Sequence, residues 1–322
     1  MNAISVKNLV KYYHTYEKKE GFLNTIKSFF KRKKKIVKAV YNISFDIEEG
    51  EFVGFVGKNG AGKTTTLKCL SGLLYPDQGK ISVLGFTPYE RKKLFLKKIA
   101  FITARKGQTA WDLPAIETYK LLQEIYEIPE NEFKKTLSEL SSMLDFKDLM
   151  TQPVRTLSLG QRMKSELIAS LLHKPKVLFL DEPTIGLDIF MQDIIRDFLY
   201  QYNKRYNSTI LLTSHYMKDV ESLCKRIILI DKGKIYYDGS LDKLKKQHIK
   251  TKLIEITFRQ KPQLEELKKL GKIKKHTHHT ILLAVEKQKI PSAIYKIAKD
   301  YKLVDLTIKE PDIGEIIKEI LK

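Results

Sequence analysis

Residues Ile43 to Ile47 alternate apolar and polar side chains, the period of a half-buried strand, and Glu49-Gly50 follows as a turn. Ile4 to Tyr12 reads as an earlier strand. Phe52 to Val56 is a short apolar run that enters a glycine-rich loop, and a helix opens at about Lys63. Ile81 to Leu84 and Ile99 to Thr103 are predicted as further strands, and residues 112 to 170 follow a mostly helical pattern. Val177 to Leu180 and Thr209 to Leu212 are unbroken apolar runs, as strands covered on both faces of a parallel sheet require. A helical stretch from about Ile189 to Arg205 separates them, so this part of the chain is expected to be α/β.

The pattern changes near Lys245. Beyond it the sequence predicts strand 252–258, helix 262–270, strands 272–275 and 280–286, helix 289–300, strand 302–308 and helix 311–321. That order is the split βαβ arrangement. The expected organisation is a nucleotide-binding domain over 1–245 and a small α+β domain over 246–322, with a basic insert at 15–38 and a helical subdomain at about 105–165.

Composition narrows the class. The chain has 322 residues, 43% hydrophobic and 10% aromatic, enough for packed cores. No apolar run approaches the roughly 18–20 residues needed to span a bilayer. The segment from Met1 to Val10 lacks the apolar centre of a signal peptide. Cys69 and Cys224 are the only cysteines, which suits a reducing compartment rather than a disulfide framework. The chain is therefore expected to be cytosolic. Its net charge of +21 suits an anionic membrane surface or nucleic acid, or simply lysines solvated on helix faces.

The chemistry starts at Gly57-Lys58-Asn59-Gly60-Ala61-Gly62-Lys63-Thr64, followed by Thr65. This is G-x-x-x-x-G-K-[ST] between a strand and a helix, the context that gives the pattern meaning. Its glycines let backbone N–H groups turn toward phosphate oxygens, and the helix start adds its positive end. Lys63 would reach the terminal phosphates and Thr64 would offer a hydroxyl to Mg²⁺. Val177 to Leu180 then delivers Asp181 and Glu182 at the carboxyl end of a strand, where open α/β sheets bind ligands. Asp181 can hold Mg²⁺, and Glu182 can polarise the water that attacks a γ-phosphate.

Leu157-Ser158-Leu159-Gly160-Gln161-Arg162 resembles the LSGGQ signature of the ABC ATPase superfamily. The resemblance also takes in Asp188 after Gly186-Leu187, and His215 after Thr213-Ser214, and it covers about residues 1–240. It implies a cassette with a RecA-like core, an antiparallel β subdomain and a helical subdomain. It implies an ATPase that uses ATP and Mg²⁺, works as a head-to-tail pair with itself or a homologous cassette, and drives separately encoded permease subunits from the cytoplasmic face of the cell membrane. On that likeness Ser158 and Gly160 touch the γ-phosphate bound to the opposite subunit, Gln161 and Asp188 count among the nucleotide-binding residues, and His215 contacts the γ-phosphate in its own subunit. Tyr13 takes the place of the aromatic that stacks on adenine, with Tyr12 and Tyr16 as rivals. Leu159 departs from the signature, which has glycine there. Trp111-Asp112-Leu113-Pro114 resembles the exporter ATPases of the sodium, drug and viologen efflux subgroup. Anchored on those four residues, the position of the family's metal-sensing glutamine falls on Arg105, with Gln108 the other candidate. The alternative to an exporter is a soluble member of the superfamily acting on ribosomes or nucleic acid.

Residues 18–38 carry nine Lys and Arg against Glu20, with Phe22, Ile26, Phe29 and Phe30 at helical spacing. They are expected to form a basic amphipathic helix against an anionic leaflet. A helix docked on the cassette, or a nucleic-acid contact, are the other readings. His276, His278 and His279 are expected in a solvated strand-to-strand turn rather than a metal site.

Overall fold

The computed structural model describes residues 2–16, 34–103, 107–248 and 251–321. They form two compact units, Met1–Gly239 and Ser240–Lys322.

In the first unit, β1 (Asn2–Tyr16) pairs antiparallel with β2 (Lys34–Glu48) and β4 (Gln78–Val83). A second sheet runs in the order β5 (Ile99–Thr103), β6 (Val177–Asp181), β7 (Thr209–Thr213), β3 (Phe52–Val56), β8 (Arg226–Asp231), β9 (Lys234–Ser240). Its members from β5 to β8 are parallel. Every residue of β3, β6 and β7 is buried, as their continuous apolar runs demand. One apolar cluster spans both sheets: Ile4, Leu9, Val40 and Ile43 share it with Val53, Phe179, Leu211 and Ile228. Within it the Phe45 and Phe55 rings lie 5.8 Å apart. Side chains of this size stabilise by about 1.5–3 kcal/mol each when buried.

Strands β8 and β9 were not among the expected elements. Lys232 and Gly233 join them with φ of 47° and 75°, the left-handed pair that a tight two-residue hairpin turn requires. That turn supports the glycine-rich loop, because Gly233 N–H donates to the Ala61 carbonyl at 3.0 Å.

The expected basic helix is corrected at its far end. Lys34–Lys38 are strand: Val37 pairs with Tyr13, Ile36 with His14, and Lys34 with Tyr16. β-Branched residues opposite aromatic ones favour the ladder over a last helical turn. The rest of that helix, with Phe22, Ile26, Phe29 and Phe30, lies outside the described residues.

Among the described residues, three α-helices occupy the interval between β5 and β6: α1 (Ala115–Tyr126), α2 (Glu130–Met143) and α3 (Leu159–Leu171). Tyr119 of α1 is buried with its hydroxyl 2.9 Å from Ser165 Oγ of α3. After β6 comes α4 (Ile189–Tyr206), and after β7 comes α5 (Met217–Leu223).

The second unit has a four-stranded antiparallel sheet in the order β11 (Lys272–His276), β12 (Thr280–Glu286), β10 (Thr251–Phe258), β13 (Leu303–Lys309). With helices Leu264–Lys268 and Ile290–Asp300 between strands, this is the split βαβ order. Ile254, Ile256, Ile281, Leu283, Ala293 and Ile297 form its core. His276, His278 and His279 are exposed around a turn in which Thr277 N–H donates to the Thr280 carbonyl at 2.8 Å. Among the described residues no cluster of three His, Cys, Asp or Glu could hold a metal ion, and no helix is long and apolar enough to cross a membrane.

Candidate active site

The carboxyl ends of β3, β5, β6 and β7 lie side by side, and each hands over to a loop that carries polar groups. After β3 the chain turns sharply through Gly57 and Gly62. A Cβ on Gly57 would sit 2.0 Å from the Ile230 carbonyl oxygen, so only glycine fits. Gly62 caps the helix Lys63–Leu70 with φ of 109°, a conformation that side-chain-bearing residues avoid. Nothing lies within 4 Å of the place a Cβ would take at Gly60, so the loop has an open side between Lys58-Asn59 and Ala61.

Lys63 is only 6% exposed, and its Nζ donates to the Gly57 carbonyl at 2.7 Å and the Lys58 carbonyl at 3.2 Å. Burial pushes its pKa below the ordinary lysine value, while the charges of Glu182 and Asp181 pull it back up. The result is a cation folded onto its own loop's carbonyls, at the start of a helix and beside the open side of the loop at Gly60. A phosphate chain fits such a place.

Asp181 ends β6 and is 9% exposed. Its Oδ1 accepts from two hydroxyls, Thr64 Oγ1 at 3.1 Å and Thr213 Oγ1 at 2.7 Å. A hydroxyl and a carboxylate at this spacing are hard oxygen donors, the set that suits Mg²⁺. Glu182 follows with φ of 57°, a left-handed conformation that costs a non-glycine residue roughly 1–2 kcal/mol. Its backbone N–H is tied to the end of β7, donating to the Thr213 carbonyl at 3.0 Å. The side chain then meets His215, whose Nε2 lies 2.7 Å from Glu182 Oε1. Both side chains are partly open to solvent, at 37% for His215 and 21% for Glu182.

Gln108 lines the same cleft as Thr64, Asp181, Glu182 and Phe101. Its backbone N–H donates to Glu166 Oε2 at 2.5 Å, and Thr109 N–H donates to Glu166 Oε1 at 3.0 Å. Arg105 lies outside the described residues. Tyr13 has its hydroxyl 3.5 Å from Thr65 Oγ1 and is 39% exposed.

The segment Leu157–Gln161 is built differently. Ser158 caps α3, and its Oγ accepts from Gln161 N–H at 3.2 Å. Gln161 Oε1 in turn accepts from Ser158 N–H at 2.9 Å, which completes a capping box. The Ser158 hydroxyl proton remains to be donated to a ligand. At Gly160 a Cβ would come within 2.7 Å of Met191 Cε, so α3 and the start of α4 touch there. Leu159 is 50% exposed and lines a neighbouring cleft with Trp111, Arg162 and Pro183. Asp188 caps α4 by accepting from Met191 N–H at 2.9 Å.

The structure thus brings Thr64, Gln108, Asp181 and Glu182 around one cleft, with His215 against Glu182, Lys63 close enough to feel the Asp181 and Glu182 charges, and Tyr13 against Thr65. Sequence reasoning missed four groups that hold this arrangement: Thr213, Glu166, Asp219 and Arg196. Asp219 is buried on α5 and accepts from Ser214 Oγ at 2.7 Å, Thr184 Oγ1 at 2.6 Å and Arg196 Nη1 at 2.6 Å. Charge offers the one signal for that pair, an arginine and an aspartate within two otherwise amphipathic helices.

A family model described as ABC transporter matches residues 40–185, and one described as EvrA-like ABC transporter, C-terminal domain, matches residues 250–309. The ABC transporter ATP-binding protein NatA of Bacillus subtilis is 38% identical over 215 residues, covering 67% of this chain and 87% of that protein. The linearmycin resistance ATP-binding protein LnrL of the same organism is 29% identical over 293 residues, with 88% and 93% covered. The bacitracin transport ATP-binding protein BcrA of Bacillus licheniformis is 32% identical over 213 residues, with 66% and 68% covered. Among solved structures, a dimeric post-hydrolysis state of the cassette MJ0796 with ADP and Pi superposes with a TM-score of 0.61 at 24% identity, covering 74% of this chain and 98% of the other, a likeness of fold.

Proposed function

The chain belongs to the ABC transporter ATP-binding protein family, and from its place there as an ATP-binding, ATP-hydrolysing subunit we propose that it drives export through a separate membrane permease. Relatives named for bacitracin transport and linearmycin resistance support the export direction. The subunit works in this reading as a pair with itself or a homologous cassette, at the cytoplasmic face of the membrane.

One observation carries the catalytic assignment. Thr64 and Thr213 converge on Asp181 while Glu182, one residue on, meets His215 at 2.7 Å beside the phosphate cradle. In this assignment the backbone N–H groups from Gly57 to Thr65 and the Lys63 ammonium hold the ATP phosphates. Thr64 and Asp181 hold Mg²⁺, with Gln108 as a further ligand, and the ion neutralises phosphate charge when bound. Glu182 accepts a hydrogen bond from the attacking water and raises its nucleophilicity. His215 moves from Glu182 to the γ-phosphate when ATP is present. Tyr13 stacks on the adenine. Ser158 and Gly160 serve the nucleotide of the opposite subunit, the free hydroxyl proton and the α3 N-terminus forming the anion site.

The test is Glu182→Gln, which keeps shape and removes the charge that orients water. ATP affinity should stay within about twofold while turnover falls by about 100-fold or more. Hydrolysis at near the parent rate would remove Glu182 from the catalytic role.

A further inference from the structure

We propose that Asp219 is a positioning residue that sets His215 against Glu182; this rests on the catalytic reading above. Glu182 and His215 stand on two different loops, one after β6 and one after β7. Their side chains act together only if those loops keep a fixed separation. The backbone bond from Glu182 N–H to the Thr213 carbonyl fixes the near side. Asp219 fixes the far side. Its Oδ2 takes Thr184 Oγ1, two residues past Glu182, at 2.6 Å, and Ser214 Oγ, one residue before His215, at 2.7 Å.

The Ser214 hydroxyl relays this hold around His215. It donates to Asp219 and accepts from Tyr216 N–H at 3.0 Å, so the residues on both sides of the histidine are pinned by one oxygen. His215 is the apex of that turn. The other Asp219 oxygen is held by Arg196 Nη1 at 2.6 Å, and Arg196 also pairs with Asp193. Asp219, Thr184, Ser214 and Arg196 are each at most 4% exposed. A carboxylate at this depth, with three donors from three separate segments, is a rigid anchor, since each lost partner would leave a buried group unsatisfied. Rigid placement matters because an error of about 1 Å in a reacting group can cost about 100-fold in rate.

The experiment measures steady-state ATPase and ATP affinity of the full chain carrying Ser214→Ala, Asp219→Asn, both together, and Asp219→Glu. Ser214→Ala removes the relay with little change of volume, so it keeps the test sharp even if Asp219→Asn fails to fold. Expected for Ser214→Ala is a fall in kcat of about tenfold with ATP affinity within twofold, because Lys63 and its loop are untouched. The double variant should be no slower in kcat than the slower single one, as members of one relay require. Asp219→Glu should recover part of the loss in kcat. A Ser214→Ala kcat within twofold of the parent overturns the proposal, as do losses that multiply in the double variant, or an affinity that weakens in step with kcat. His215→Ala separates the two readings. If it turns over normally the catalytic assignment itself fails; if it is inactive while Ser214→Ala is not, only the role of Asp219 falls.

Discussion

Replacing His173 by glutamine should flatten the acid side of the protein's stability profile. His173 follows α3, and its ring stacks on Tyr126 with centroids 3.8 Å apart and planes 2° from parallel. Nε2 is 3.0 Å from the Ile99 carbonyl, an acceptor, so Nε2 carries the proton in the neutral ring. Nδ1 is buried and has no partner among the described residues. Protonation would put a second N–H there, facing nothing that accepts it. Burial accordingly pushes the pKa from 6.5 down to about 4, against the smaller opposing effect of the Ile99 carbonyl. The sign follows from linkage. Between pH 6.5 and about 4 the unfolded chain takes up a proton that the folded chain refuses, so stability is full above pH 6.5 and is lost as pH falls toward 4. The difference of about 2.5 pH units corresponds to about 3 kcal/mol when fully developed, and about 2.5 kcal/mol by pH 4.5. His173→Gln keeps a donor for Ile99 but does not titrate. Urea unfolding followed by fluorescence of Trp111, the single tryptophan and a member of the first unit, reads the effect at pH 7 and pH 4.5. Parent and variant should lose stability by amounts that differ by about 2 kcal/mol. Equal losses would mean that His173 is protonated in the folded state, and the argument from its orphaned Nδ1 fails.

Two further outcomes bear on the nucleotide. Lys63→Ala removes the buried ammonium beside the cradle and should weaken ATP binding at least tenfold by calorimetry; unchanged affinity would remove the phosphate role of that loop. Ser158→Arg breaks the capping box, at a cost of about 1 kcal/mol, and fills the anion site on α3. Isolated monomers should still bind ATP while ATP-driven pairing, read by light scattering, is lost; a monomer that no longer binds ATP contradicts the assignment of Ser158 to the opposite subunit.

Local patterns were legible where one stretch of chain does the whole job. The glycine-lysine loop is such a case, because left-handed turns and a close approach to Ile230 demand glycine whatever surrounds them. The apolar runs of β6 and β7 are another, since burial on both faces leaves no room for polar side chains. The run Arg226–Asp231 and the Lys232-Gly233 turn carry the same kind of local signal for β8 and β9. At Lys34–Lys38 the charges pointed to the end of a basic amphipathic helix, but the ladder with Tyr12–Tyr16 decides the conformation, and a partner strand some twenty residues away leaves no local mark. The supports of the site were illegible for the same reason. Glu166 reads as one more exposed helix acid, and only the fold brings Gln108 and Thr109 to it.

The strained backbone of Glu182 gives these supports a common purpose. A residue held at φ of 57° relaxes unless its neighbours are fixed on both sides. Before it, Asp181 is locked by the Thr64 and Thr213 hydroxyls; after it, Thr184 is locked by Asp219. Between these two clamps the Glu182 carboxylate is presented outward to His215 instead of folding back along the strand. Thr64 belongs to the helix that opens at the glycine-rich loop, so one of the clamps ends at the loop to which the phosphates are assigned. On the proposed assignment, a phosphate chain that shifts Thr64 acts on the backbone that aims Glu182 through the single Thr64–Asp181 hydrogen bond.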